Sequence, residues 1–316
     1  MFFAKKRYYR IAAIYEVISM NVTINISQLV GRFGLERAAT LARQAGFDAM
    51  DYGFGVPDLN EETYREEAAR IREIAERTGL PIHQTHTPFP WRKEQCDDPE
   101  FYENVILPTM HRSIEFSALI GAKIAVVHPL HYNVYLGNEE LMFNKNMAYY
   151  GSMIPVCEKF NIRVGVENMY WGDKRRPAYV FDTCGQSWEF IRYLDTLNSE
   201  YMVGCVDVGH VGLPLMAEEE AWDMIRALGH DRVQALHVHD NSYRSDAHVL
   251  PYLGTIDWNE VAKALGEIDY SGDLTYETGG FITAAMDEEF VPVALKYMAD
   301  VGKHICDMID RNRPVK

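Results

Sequence analysis

The side chains able to do chemistry are concentrated in a few short stretches. The segment HVHDNSYRSDAHVL, from His237 to Leu250, holds three histidines and two aspartates. Glu167 closes the apolar stretch VGVE, Asp207 closes VGCVD with His210 three residues on, and Glu277 closes LTYE. A carboxylate in an apolar strand is costly to bury unless it is paired or coordinated. Any one of these residues alone reads as a satisfied polar group. Glu167, Asp207, His237 and Glu277 taken together read as a shared cation site. Three carboxylates with one imidazole suit Mn²⁺, Mg²⁺ or Co²⁺, and further imidazoles shift the preference toward Zn²⁺.

Hydrophobic periodicity supplies the elements that must position these groups. Strands are expected over 20–27, 49–54, 81–89, 123–130, 162–169, 201–210, 233–241 and 272–278. Helical spacing follows each one, over 34–47, 60–80, 99–121, 138–160, 186–197, 217–229, 257–268 and 287–311. Eight strand-then-helix units imply parallel strands with helical crossovers, and eight close naturally into an α/β fold of the (β/α)₈ TIM-barrel type. A doubly wound sheet is disfavoured because ISQLVGRFG, after the first strand, is no GxGxxG turn. Residues 21–316 are read as one catalytic domain, and residues 1–20 as a short N-terminal extension.

On this reading, eight of the eleven histidines fall at strand C-terminal ends: His83, His86, His128, His131, His210, His237, His239 and His248. That face is where barrel enzymes assemble their sites. His111, His230 and His304 fall in helices and are expected at the surface or in packing. His239 is expected to turn to the barrel wall as a structural residue, and Asp240 to orient His237. Asp246 and His248 bring the loop back to the pocket, to touch substrate or to complete a second metal site.

The chain has 316 residues with a net charge of −15, a balance that disfavours broad contact with nucleic acid. Its five cysteines are widely spaced with no CxxC, which points to a reducing, cytoplasmic setting. No apolar run reaches the roughly 20 residues a membrane span needs.

The motifs THTPF, VVHP, VGVEN, VDVGH, HVHDN, HVLPYLGTIDW and LTYET, in that order, resemble the xylose isomerase-like TIM-barrel superfamily, its sugar phosphate isomerase/epimerase members in particular. In the epimerase branch the resemblance implies one divalent metal held by Glu167, Asp207, His237 and Glu277. It also implies that Glu167 and Glu277 act as an acid/base pair through a metal-stabilised enediolate, with His210 on a substrate oxygen. The substrate is then a small sugar or keto-sugar, with a homo-oligomer or a partner subunit as a possible assembly.

Two other branches keep the same residues. Inosose dehydratases, and lyases that cleave keto-glycosides, begin with the same proton abstraction and end in elimination. Endonuclease IV binds three zinc ions with nine ligands, and His86, His128, Glu167, Asp207, His210, His237, Asp246, His248 and Glu277 match that set. The nuclease pattern, however, has a lysine after HVHDN and then an Asp-Arg-His element. This chain has SYRSDAHVLPYLG. A barrel that has lost activity is the non-enzymatic alternative, and none of the four core ligand types is missing.

Aromatic residues near strand ends are candidates to stack on a sugar ring: Phe54, Phe89, Trp91, Tyr132, Tyr170 and Trp171, with Trp171 favoured because it follows the Glu167 strand. His86, His128, Arg244, Asp246 and His248 complete the candidate substrate contacts. YWGDKRRP (170–177) reads as a basic loop, lid or subunit contact.

Overall fold

A computed structural model describes residues 20–314 apart from 90 and 133. The proposed extension over residues 1–20 therefore lies outside the described residues, save for Met20. Eight parallel strands form the barrel: β1 (Val22–Asn25), β2 (Ala49–Gly53), β3 (Ile82–His86), β4 (Ile124–Val127), β5 (Arg163–Glu167), β8 (Met202–Asp207), β9 (Val233–His237) and β10 (Leu274–Tyr276). They run in the order β10-β1-β2-β3-β4-β5-β8-β9. The ring closes where the Val238 N–H donates to the Thr275 carbonyl at 2.8 Å and the Glu277 N–H donates to the Val238 carbonyl at 3.1 Å. Each expected strand is present, shortened to its hydrogen-bonded centre. Among the described residues no helix is long and apolar enough to cross a membrane.

The differences from the sequence reading have physical causes. Residues 138–160 form two helices, Glu139–Gly151 and Ile154–Phe160, because Pro155 has no N–H and suits only a first turn. The basic segment after β5 is a hairpin, β6 (Tyr170–Gly172) against β7 (Tyr179–Phe181), with Lys174, Arg175 and Arg176 exposed at its tip. His83 lies near the start of β3, at the opposite end of the barrel from the other strand histidines, and its Nδ1 is 2.6 Å from Asp273 Oδ2.

Strand geometry positions the site. Side chains two residues apart share a face. Val126, Cys205 and Ala235 meet in the barrel interior as a small apolar layer. Two residues on, the inward positions are His128, Asp207 and His237, so the same pleat that fills the core lifts polar groups to the C-terminal mouth.

Asp240 does not touch His237. Its Oδ1 accepts from the N–H groups of Asn241 (2.8 Å) and Ile256 (3.2 Å), and its Oδ2 from the Tyr252 N–H and the Trp258 indole, both at 2.9 Å. It is the anchor of the loop that carries Asp246 and His248. Asp240→Ala leaves four buried or half-buried donors without an acceptor, each worth about 1–3 kcal/mol. The expected loss is at least about 3 kcal/mol in urea unfolding.

Glu189 is a second buried carboxyl, on the helix Ser187–Leu197. It accepts from the Cys184 N–H at 3.0 Å and from the Tyr135 hydroxyl. Burial pushes its pKa up to about 7. The folded state thus favours the neutral acid. The contribution is complete below the ordinary carboxyl pKa and is lost as pH rises through about 7. The melting temperature is expected to fall between about pH 5 and pH 8, and Glu189→Gln to flatten that slope.

Candidate metal and active site

Glu167, at the end of β5, is the hub. Its Oε1 is 3.1 Å from His237 Nδ1, and its Oε2 is 3.0 Å from His128 Nε2 and 3.7 Å from His86 Nε2. His237 Nδ1 is also 3.4 Å from Glu277 Oε2 and 3.9 Å from Asp207 Oδ2. Asn168 buttresses the next strand: its Oδ1 accepts from the Asp207 N–H at 2.7 Å, and its Nδ2 donates to the Asp207 carbonyl at 3.1 Å. The Asn168 carbonyl lies 2.9 Å from His210 Nδ1, and the His210 N–H donates to Asp207 Oδ1 at 2.9 Å.

Burial and charge oppose one another here. Burial pushes the Glu167 carboxyl up, but His237 and His128 outweigh it and hold the group well below the usual carboxylate range. Burial pushes His237 down, while Glu277 and Glu167 raise it well above the ordinary imidazole value. His128 is pushed down to about 4, mainly by burial.

A divalent cation fits these residues. Ligand atoms of Glu167, Asp207, His237 and Glu277 all lie within 4.8 Å of one another. The buried atoms Asp207 Oδ2 and His237 Nε2 have no hydrogen-bond partner, and such atoms are rarely left unanswered. Three further donor sets lie beside it: His86, His237 and Glu277, and His86, His128 and Glu167, share its residues, while His210, His239, Asp246 and His248 form a separate set.

The structure thus gathers nine of the expected residues: His86, His128, Glu167, Asp207, His210, His237, Asp246, His248 and Glu277. Trp171 lines the cavity beside them and meets His131 edge to face at 4.8 Å. Arg244 does not join them; it is exposed in its loop and lies outside the cavity lining. Tyr170 contributes a hydroxyl that donates to Asp246 Oδ2 at 2.8 Å.

His239 overturns the expectation of a wall-facing structural role. It is fully buried, its Nε2 is 3.0 Å from Asp207 Oδ1, and its ring stacks on His248 at 3.9 Å. Positions 237 and 239 are two apart and so share a face, which the sequence itself implied. Gly209 makes the room, since a Cβ there would come within 1.9 Å of the His239 ring.

Other residues were missed. Asp51, on β2, is a fully buried carboxyl raised by burial, and it accepts from Asn25 at 2.9 Å. Its signal, a carboxylate in the apolar run AMDYG, is the one that marked the others. Asp182 lies 3.2 Å from His131 Nδ1 and leaves the buried His131 Nε2 without a partner on the cavity wall. No local pattern links residues 131 and 182.

The comparisons with known proteins agree with this architecture. The chain belongs to the xylose isomerase-like TIM barrel family, whose profile matches residues 39–291. It is 24% identical to the uncharacterized protein y4fM of Sinorhizobium fredii, over 78% of this chain and 81% of that protein. It is 21% identical to a D-psicose 3-epimerase of Enterocloster bolteae, over 73% of this chain and 72% of the epimerase. Among solved structures, a D-tagatose 3-epimerase-like protein superposes with a TM-score of 0.70 at 18% identity, over 92% of this chain and 99% of the other.

Because His239 contacts Asp207 and stacks on His248, His239→Ala is expected to lower the metal retained after dialysis severalfold. Its urea midpoint is expected to shift little. The check is elemental mass spectrometry beside an unfolding curve for the same preparation.

Proposed function

We propose that the chain is a divalent-metal-dependent sugar isomerase or epimerase. It works by removing a proton α to a carbonyl, with Glu167 and Glu277 as the acid/base pair. One observation carries the reading. Glu167 ends β5 and Glu277 directly follows β10, strands separated by β8 and β9 on one side of the ring and by β1 to β4 on the other. Their carboxylates still converge on one imidazole nitrogen, at 3.1 and 3.4 Å. Two carboxylates facing each other across one small space can serve opposite faces of a bound sugar.

Glu167, Asp207, His237 and Glu277 would hold the cation, with Mn²⁺ first by donor type and Mg²⁺ or Co²⁺ next. When bound, such an ion polarises a carbonyl and its neighbouring hydroxyl oxygen and so acidifies the adjacent C–H. One glutamate takes that proton, and the electron pair moves onto the carbonyl oxygen. The other returns a proton to the opposite face. His210, Asp246 and His248 line the same cavity and orient hydroxyl groups, and Trp171 offers a ring face. Kinship with a D-psicose 3-epimerase supports a keto-sugar as substrate.

A second reading, a three-metal zinc nuclease, is favoured by the gathering of all nine residues, together with His239, into four donor sets. The net charge of −15 weighs against a nucleic-acid substrate.

Metal content decides between them. About one Mn, Mg or Co per chain is expected on protein purified without chelator, whereas two or three Zn would move the assignment to the nuclease. In D₂O, exchange of the C–H beside the carbonyl of a ketohexose is expected by NMR. The same spectra are read for an epimer, an isomer or an unsaturated elimination product. Glu167→Gln and Glu277→Gln are each expected to slow exchange by at least about 10²-fold, the usual worth of a positioned acid or base, with the circular dichroism spectrum unchanged. Full exchange in either variant would remove that residue from the pair.

A further inference from the structure

The metal cluster is flanked by two cavities rather than one. The first, about 500 Å³, is lined by His131, Tyr170, Trp171, His210 and Asp246, the polar groups a sugar ring needs. The second, about 720 Å³, opens on the β1–β2 side of the mouth. His86, Phe89, His248 and Glu277 line both. Glu277 therefore stands at the junction, and a carbon that exchanges a proton with it has one cavity on either side.

The walls of the second cavity state what it takes. Ile24, Phe54, Val56, Phe89, Ile282 and Met298 give it an apolar wall, with neutral Asn25, Ser27 and Gln28 at intervals. Among the described lining residues there is no lysine or arginine. Asp58 stands at the rim, where its carboxylate accepts from the Gly55 N–H at 2.7 Å. Away from His86 and His248 at the junction, a phosphate would meet no lysine or arginine and would face that carboxylate. Either cavity alone is in the range of about 300–1,000 Å³ that holds a whole drug-sized ligand. A single sugar fills one and leaves the other wet.

We propose that the substrate is a two-part molecule: an unphosphorylated sugar in the first cavity, joined to an uncharged and largely apolar group, such as an aryl aglycone, in the second. This rests on the sugar-converting reading above and narrows its substrate class to glycosides whose ring carries a carbonyl, since the anomeric carbon of a glycoside is locked as an acetal. The plain glucosides below serve as binding probes only. Phe89 is 54% exposed and Val56 47% exposed. Both are apolar side chains at the cavity wall that such a group would cover. Phe89 also packs on the rings of His86 and His128, so covering it closes water away from the junction.

The test is binding, measured by isothermal titration calorimetry on the intact, manganese-loaded protein. The probes are D-fructose, methyl β-D-glucoside, phenyl β-D-glucoside and phenyl β-D-glucoside 6-phosphate. Burying a phenyl ring is worth about tenfold or more in affinity. Phenyl glucoside is expected to bind at least about tenfold tighter than methyl glucoside, and the 6-phosphate more weakly than its parent. Val56→Trp, which fills the second cavity from an exposed wall position, is expected to bring phenyl glucoside to within about twofold of methyl glucoside. It is expected to leave methyl glucoside unchanged, while Val56→Ala keeps the preference. Equal affinity for the two glucosides overturns the proposal, as does a phenyl preference that survives Val56→Trp. Binding of D-fructose alone also overturns it and leaves the sugar reading standing. If none of the four sugars binds to metal-loaded, folded protein, the sugar reading itself falls, and this proposal with it.

Discussion

The mouth of this barrel depends on answering the charges of Glu167 and Asp207, both of which are withdrawn from water. A buried carboxylate without partners is among the most costly groups a fold can carry. Here each is ringed by imidazoles: His86, His128 and His237 around Glu167, and His210 and His239 around Asp207. The arrangement still leaves oxygen and nitrogen atoms unsatisfied. A divalent cation held among these atoms would remove that residual deficit. Removing either carboxylate would strand the imidazoles gathered around it, so the ligand set behaves as a unit.

The backbone serves that cluster through two devices. The first is the pleat: inward positions two residues beyond the apolar layer of Val126, Cys205 and Ala235 become His128, Asp207 and His237. The second is the loop after β9. Asp240 pins both of its ends, so Asp246 and His248 are delivered by a fixed turn and not by a floppy excursion. His248 adopts φ 45°, an uncommon backbone state held by the contact of its Nδ1 with the Glu277 carbonyl at 2.7 Å.

The barrel, and the meeting of these carboxylates and imidazoles at its mouth, were legible because both follow short-range rules. Alternating apolar strands, glycine-stopped helices and carboxylates inside apolar runs are written in single segments. What was not legible depends on distant partners or on a rule wrongly applied. His239 belonged in the site by strand period alone, and Gly209, thirty residues away, had to make space for it. The role of Asp240 required knowing that Tyr252 and Trp258 fold back on it. The pairing of His131 with Asp182 joins two loops that no spacing connects. His83 was placed at the wrong end because the strand begins only at Ile82.

The hairpin of β6 and β7 bears on how fast a ligand is captured. It is tied at one side by the Tyr170 hydroxyl to Asp246, and at the other by the Leu215 N–H to the Tyr179 carbonyl at 3.0 Å. Trp171 in β6 and Lys174 at the tip therefore border a rim that is already built. A rim that needs no ordering adds little entropic penalty to association.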